Sequence, residues 1–257
     1  MKLYGFFRSS AAFRVRIALN LKGLAYDSVS IHLRRNDQAK PDYGSVNPQG
    51  LVPALEIDGH TLTQSLAIVE YLDEIHPDPP LLPQAPADRA RVRALAEIVA
   101  CDIHPVNNLR VLRYLARSFG RDETDIAAWF NHWISTGFEA IEALLVSDAR
   151  TGAFCHGERP GLADVALVPQ VVNAERYNVT FSNNRPHLRG LHEAAAVSGG
   201  ASRQPARPRT VSLNLCERRR PWSSARRGRP RPARPCRRQQ RRECRGCRAH
   251  RPASYSL

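Results

Sequence analysis

FRSSAAFRVRIALNLKG (residues 7–23) lies between two short apolar stretches, LYGFF (3–7) and AYDSVSIHL (25–33). LYGFF has the length and composition of a strand, and AYDSVSIHL alternates as a strand with one wet face does. Between them, Ser9 or Ser10 can cap a helix, because a serine oxygen accepts from amides that the first turn leaves unpaired. Phe13, Ile17 and Leu21 recur at i, i+4 and i+8 and predict its buried face. Lys22 and Gly23 are stop signals. Together the pieces predict a βαβ unit with parallel strands and a right-handed crossover.

Working outward, a polar loop rich in Asn, Asp, Gly and Pro follows. LVPALEIDGHTL (51–62) then predicts a hairpin turning at Asp58-Gly59, and QSLAIVEYLDEI (64–75) returns to helical period. Residues 1–80 thus form a compact α/β domain. PDPPLLPQAPAD (77–88) holds five prolines in twelve residues, which cannot continue a helix, and reads as a linker. Beyond it the period is helical. One helix is predicted over 89–119 with a kink at Pro105, a second over 123–145 after Asp122, a third from Gly161 through Ala174, and a fourth over 185–196. The predicted fold is an α/β domain plus an all-α domain over 85–196. Cys101 and Cys155 read as small buried residues.

The formal charge of +14 is unevenly spread. Residues 201–257 hold 18 Arg, no Lys and 2 Glu, a net of +16, so the body carries −2. Nucleic acid is therefore not the expected partner of the body. The composition changes abruptly near Val197, and residues 197–257, rich in Arg and Pro, lack any period and predict chain disorder. Cys244 and Cys247 have C-x-x-C spacing, but Cys216 and Cys236 are isolated, so no metal is predicted. An Arg-rich arm that neutralises phosphates and an out-of-frame C-terminus from a GC-rich coding sequence both fit this tail. No run is long and apolar enough for a membrane span, and MKLYGFF lacks the features of a secretory leader. The expected location is cytoplasmic.

SSAAFRVRIALNLKG (9–23), NPQGLVPALEIDG (47–59), QSLAIVEYL (64–72) and LADVALVPQVVNAERYNV (162–179) together resemble the zeta-class glutathione transferases. This family includes maleylacetoacetate and maleylpyruvate isomerases. The resemblance runs from Met1 to about Ala196. It implies a thioredoxin-like glutathione-binding domain, a helical domain that helps to hold substrate, and a homodimer. It also implies glutathione-dependent cis–trans isomerisation of a small dicarboxylate in aromatic catabolism.

The resemblance places Ser9 and Ser10 on the two serines of the family's Ser-Ser-Cys, with Ala11 where the cysteine stands. A protein thiol is thereby put in doubt, but not a serine-assisted route. A helix N-terminus carries about half a positive charge, and a hydroxyl bonded only to a thiolate lowers the thiol pKa. The alternative is that both serines merely cap the helix. Val52-Pro53 resembles the family's cis-proline site, with Val52 pairing to the glutathione backbone; the residues themselves leave the isomer open. The resemblance puts the γ-glutamyl carboxylate on Gln64 and Ser65, which otherwise read as an ordinary helix start. Arg8 and Arg176 are assigned to substrate carboxylates, since arginine offers a planar bidentate fork. His104 and Asn108 match positions near glutathione and share a predicted helix face, and Arg110 joins them at another angle. The remaining alternatives are a transferase acting on electrophiles or haloacids, and a non-catalytic module whose basic tail binds nucleic acid.

Overall fold

A computed structural model describes residues 1–177 and 179. Strand β1 (Lys2–Gly5) leads through helix α1 (Ser10–Leu21) to β2 (Asp27–Ser30), which pairs parallel to β1. The predicted βαβ unit is present. Next come two single turns of 3-10 helix, at Leu33–Arg35 and Asp37–Ala39, and a one-turn helix α2 (Pro41–Gly44), all within the segment that reads as loop. β3 (Ala54–Ile57) runs antiparallel to β1 and forms the predicted hairpin with β4 (His60–Thr63). At the turn both Asp58 and Gly59 have positive φ, the geometry that makes Asp-Gly a strong hairpin signal. The sheet order is β2-β1-β3-β4, and α3 (Ser65–Ile75) completes a thioredoxin-like domain.

The buried face of α1 differs from the expected one. Ala12, Val15, Ala18 and Leu19 are buried, whereas Phe13, Ile17 and Leu21 are only partly covered. The series of large side chains lies at the margin because α1 approaches the sheet closely. A Cβ placed on Gly5 of β1 would stand 3.2 Å from the Cβ of Ala12. Small residues permit that approach, and a count of bulky residues overlooks them.

The proline-rich linker is pinned. The Lys22 ammonium, its side chain wholly buried, pairs with Asp73 Oδ1 at 2.8 Å and donates to the carbonyls of His76 and Pro79. The Asp73 carboxylate also accepts from the amides of Leu81 and Leu82, whose side chains are buried. Asp73→Ala strands the Lys22 charge and two amides. It is expected to lower unfolding free energy by about 3–5 kcal/mol, read by denaturant titration; a loss below about 1 kcal/mol would contradict this account of the linker.

The helical part opens with α4 (Pro86–Glu97), which ends in a π-helical turn at Ile98–Ile103. The expected kink at Pro105 is instead a break. Proline removes a helical N–H and clashes with the preceding turn, and the Asn108 side chain starts a new helix by accepting from Arg110 N at 3.1 Å. That helix is α5 (Leu109–Ser118). The break is held to α6 (Glu123–Val146) by Asn107 Nδ2 donating to Phe130 O and Trp129 Nε1 donating to Val106 O. The helix predicted after Asp122 is present, and Asp122 caps it by accepting from Asp125 N at 2.9 Å. Cys155 is buried as expected, but Cys101, on the π-helical turn, is exposed.

α7 (Leu162–Glu175) packs against α1 and α4 and is capped from within. Asp164 accepts from Gly161 N at 2.8 Å and Cys155 N at 2.9 Å, while Gly161 has no side chain with which to reciprocate. The predicted helix over 185–196, the tail beyond residue 197 and its four cysteines lie outside the described residues. Among the described residues, no helix is long and apolar enough to cross a membrane, and no cluster of His, Cys, Asp or Glu is arranged to hold a metal ion.

Candidate active site

A cavity of about 420 Å³ opens between the start of α1, the segment before β3 and the helical part. This size suits a small-molecule site. Its wall takes Arg8, Ser9, Ser10, Val52, His104, Asn108, Arg110 and Arg176 from the sequence-predicted set. Pro53, Gln64 and Ser65 do not line it. The Val52–Pro53 bond is cis.

Ser9 is the N-cap of α1, and its Oγ accepts from Ala12 N at 3.2 Å. Accepting uses a lone pair and leaves the hydroxyl proton free to donate elsewhere. Capping and donation to a ligand are therefore compatible at Ser9, although the sequence presents them as alternatives. Ser10, the first residue of the helix, is buried. The Leu51–Val52 segment is held by Leu51 O, which accepts from Tyr43 Oη at 2.6 Å and Asn47 Nδ2 at 2.7 Å. Tyr43, pushed up to about 12 by burial, stays a neutral donor.

His104 and Asn108 both reach the cavity, but not from one helix face. His104 follows the π-helical turn and Asn108 caps α5, so the break at Pro105 brings them together. Burial, with the cations Arg14 and Arg110, holds the His104 imidazole down to about 3 from its ordinary 6.5. The ring is neutral at physiological pH. Because the folded state resists a proton that the unfolded chain accepts, stability falls as pH drops from 6.5 toward 3. The expected slope from this one residue approaches about 1.4 kcal/mol per pH unit. His104→Asn should flatten that part of the stability-against-pH curve; an unchanged curve would contradict the assignment.

Two further arginines, Arg34 and Arg113, line the same cavity, and among the described residues on its wall there is no Asp or Glu. Burial lowers Arg8, Arg113 and Arg176 from their ordinary value, and like charges add to it: Arg34 acts on Arg8, Arg117 and Arg34 on Arg113, and Arg8 on Arg176. Such mutual repulsion is relieved by an anion of matching charge. Arg176 Nη1 also donates to Arg8 O at 3.1 Å, joining the end of α7 to the loop before α1. Tyr177 stacks on Phe130 with centroids 3.5 Å apart and forms part of the wall.

Sequence reasoning missed Arg34, Arg113, Phe130 and Tyr177. Arg34 and Arg113 look like surface arginines when taken singly. Phe130 sits in the apolar series of α6 and reads as core. Tyr177 carried one usable signal, its place beside Arg176.

Gln64 precedes α3 with φ +67, an uncommon conformation for a residue other than glycine. Its Nε2 donates to Gln49 Oε1 at 2.9 Å, and Gln49 lines the cavity. The Gln64–Ser65 corner thus adjoins the site through Gln49. Glutathione has a thiol and two carboxylates, and the residues fit it: a hydroxyl proton at a helix N-terminus, a fixed backbone segment at Val52, and cationic walls.

Residues 1–74 match the family model of the glutathione S-transferase N-terminal domain. A maleylpyruvate isomerase of a Ralstonia species is 52% identical over 182 residues, which are 71% of this chain and 86% of that protein. The holo structure of a bacterial zeta-class maleylpyruvate isomerase is 49% identical with a TM-score of 0.74, covering 77% of this chain and 92% of that one. The structure of maleylacetoacetate isomerase from Methylobacterium extorquens AM1, with malonate and glutathione bound, is 41% identical with a TM-score of 0.76 over 81% of this chain and 100% of that one. With 52% of the aligned residues in common with one such relative across 86% of its length, the chain belongs to the glutathione S-transferases, in the zeta-class branch of maleylpyruvate and maleylacetoacetate isomerases.

Proposed function

We propose that this enzyme converts the cis double bond of a small dicarboxylate to trans with glutathione as cofactor, turning maleylacetoacetate into fumarylacetoacetate or maleylpyruvate into fumarylpyruvate. The observation that carries this reading is a cavity with five arginines and, among the described residues, no acid on its wall, which opens on the hydroxyl at the start of α1. Its charge calls for a ligand with more than one carboxylate, and malonate, a small dicarboxylate, accompanies glutathione in the Methylobacterium relative.

When bound, glutathione supplies a thiolate that adds to the double bond and leaves once the resulting single bond has turned. The chain's own residues make this possible. Ser9 donates its hydroxyl proton toward the sulfur position, and the amides opening α1 add their positive end. Val52 fixes the peptide, and Gln64 and Ser65 hold a carboxylate; His104, Asn108 and Arg110 border the bound cofactor. Arg8 and Arg176 orient the substrate carboxylates and stabilise negative charge that develops on the substrate oxygen. Neutral His104 adds no competing charge. The proposal includes a homodimer acting in the cytoplasm in the breakdown of aromatic compounds, supported by the family resemblance.

A spectrophotometric assay with both maleyl substrates tests the reading. Turnover is expected only when glutathione is present; equal turnover without it would contradict the mechanism. Activity confined to a panel of halogenated electrophiles would instead favour a conjugating transferase.

A further inference from the structure

We infer that Arg14 is a positioning residue for glutathione: a buried counter-charge that acts through Ser65 on a carboxylate of the cofactor. Arg14 lies on α1 one turn beyond Ser10, which lines the cavity, and i, i+4 residues share a helix face. It is 2% exposed, yet only one of its nitrogens is used: Nη1 donates to Ser65 Oγ at 3.1 Å, while Nε and Nη2 have no partner. Among the described residues no carboxylate pairs with it. Two other well-buried cations are matched by carboxylates, Lys22 by Asp73 and Arg91 by Asp148. Burial lowers the Arg14 guanidinium to about 10, so it remains charged at neutral pH.

An unpaired buried charge is costly, and packing alone would be served by an apolar side chain of similar length. The surroundings indicate what offsets it. Ser65 opens an eleven-residue helix whose first turn no side chain caps, so its leading amides are left for another acceptor. With Oγ accepting from the guanidinium, the Ser65 proton is free to donate outward, and each bond polarises the next. Carboxylate, hydroxyl and guanidinium then form one relay, with Gln64 tied to Gln49 on the cavity wall beside it.

This inference rests on the proposed placement of a glutathione carboxylate at Gln64 and Ser65. The test uses Arg14→Met and Arg14→Lys, with glutathione and with γ-aminobutyryl-cysteinyl-glycine, the same tripeptide without the α-carboxylate of its first residue. Calorimetry on the full chain is expected to show wild-type enzyme preferring glutathione by about 30-fold, the worth of one charge-assisted contact. Arg14→Met should shrink that preference to about threefold, raising the KM for glutathione more than it lowers kcat, with thermal stability equal or higher when no ligand is present. Arg14→Lys keeps the charge without the fork and should give an intermediate ratio; it carries the test if the Met variant does not fold.

An unchanged ratio in either variant overturns the inference. So does an equal loss for both tripeptides, which is what a purely structural role produces. A changed oligomeric state with the ratio intact would assign Arg14 to contacts between copies and overturn it as well. Wild-type protein without glutathione-dependent isomerisation would instead defeat the functional reading, so the two failures are separable.

Discussion

Ser9→Ala is expected to lower glutathione-dependent turnover about 10²-fold, within the range seen when one preorganised donor to a developing or stabilised anion is lost. The hydroxyl does two things at once. Its oxygen caps α1 by accepting from Ala12 N, and its proton is free for the cofactor sulfur. Loss of the cap alone costs about 1 kcal/mol of stability and leaves the enzyme folded. Turnover and thermal unfolding measured together separate the roles, because a tenfold fall in rate corresponds to about 1.4 kcal/mol at the transition state. Ser9→Thr keeps the hydroxyl and should recover most of the rate. Ser10 is buried as the first helical residue, so Ser10→Ala should reduce the rate less than Ser9→Ala. If the Ser9→Ala variant turned over as fast as wild type, the serine would be a cap and nothing more.

Arg176→Ala should reduce kcat/KM for the dicarboxylate by about 10²-fold, equivalent to about 2.7 kcal/mol. It removes a cation from the cavity and also the hydrogen bond to Arg8 O that joins the end of α7 to the loop before α1. Arg176→Lys restores the charge but not the fork, and should recover only part of the loss. Arg8 and Arg176 line one cavity and touch each other, so the double variant should lose less than the two single losses combined. Initial rates over a range of substrate concentrations give these values. A fall in kcat/KM for Arg176→Ala of less than about threefold would remove it from the substrate site.

Much of the N-terminal domain is legible because its signals are local. The βαβ unit, the Asp58-Gly59 hairpin and the start of α3 depend on turn chemistry and short periods. The buried face of α1 is not legible in a count of large apolar residues, because close packing against Gly5 favours alanine there. The break at Pro105 is hard to read from sequence because it depends on Asn108 capping a new helix, where the proline alone indicates a kink, and on Asn107 bonding to Phe130 O, 23 residues away. Ser9, Val52 and Arg176 were named through the family resemblance, and the structure brings them to one cavity. Arg34, Arg113 and Phe130 escaped notice because a surface arginine and a core phenylalanine look the same in sequence whether or not a cavity opens beside them. Gln64 and Ser65 stand off the main cavity and adjoin it through Gln49.

The central claim is that the start of α1, with the Ser9 hydroxyl, keeps the cofactor sulfur ionised. An ultraviolet titration of the thiolate in the glutathione complex measures this directly. The bound thiol should titrate at least about one unit below the ~8.5 of an ordinary free thiol, and Ser9→Ala should move it most of the way back. A bound thiol titrating where it does in water, with no difference between wild type and Ser9→Ala, would contradict the account.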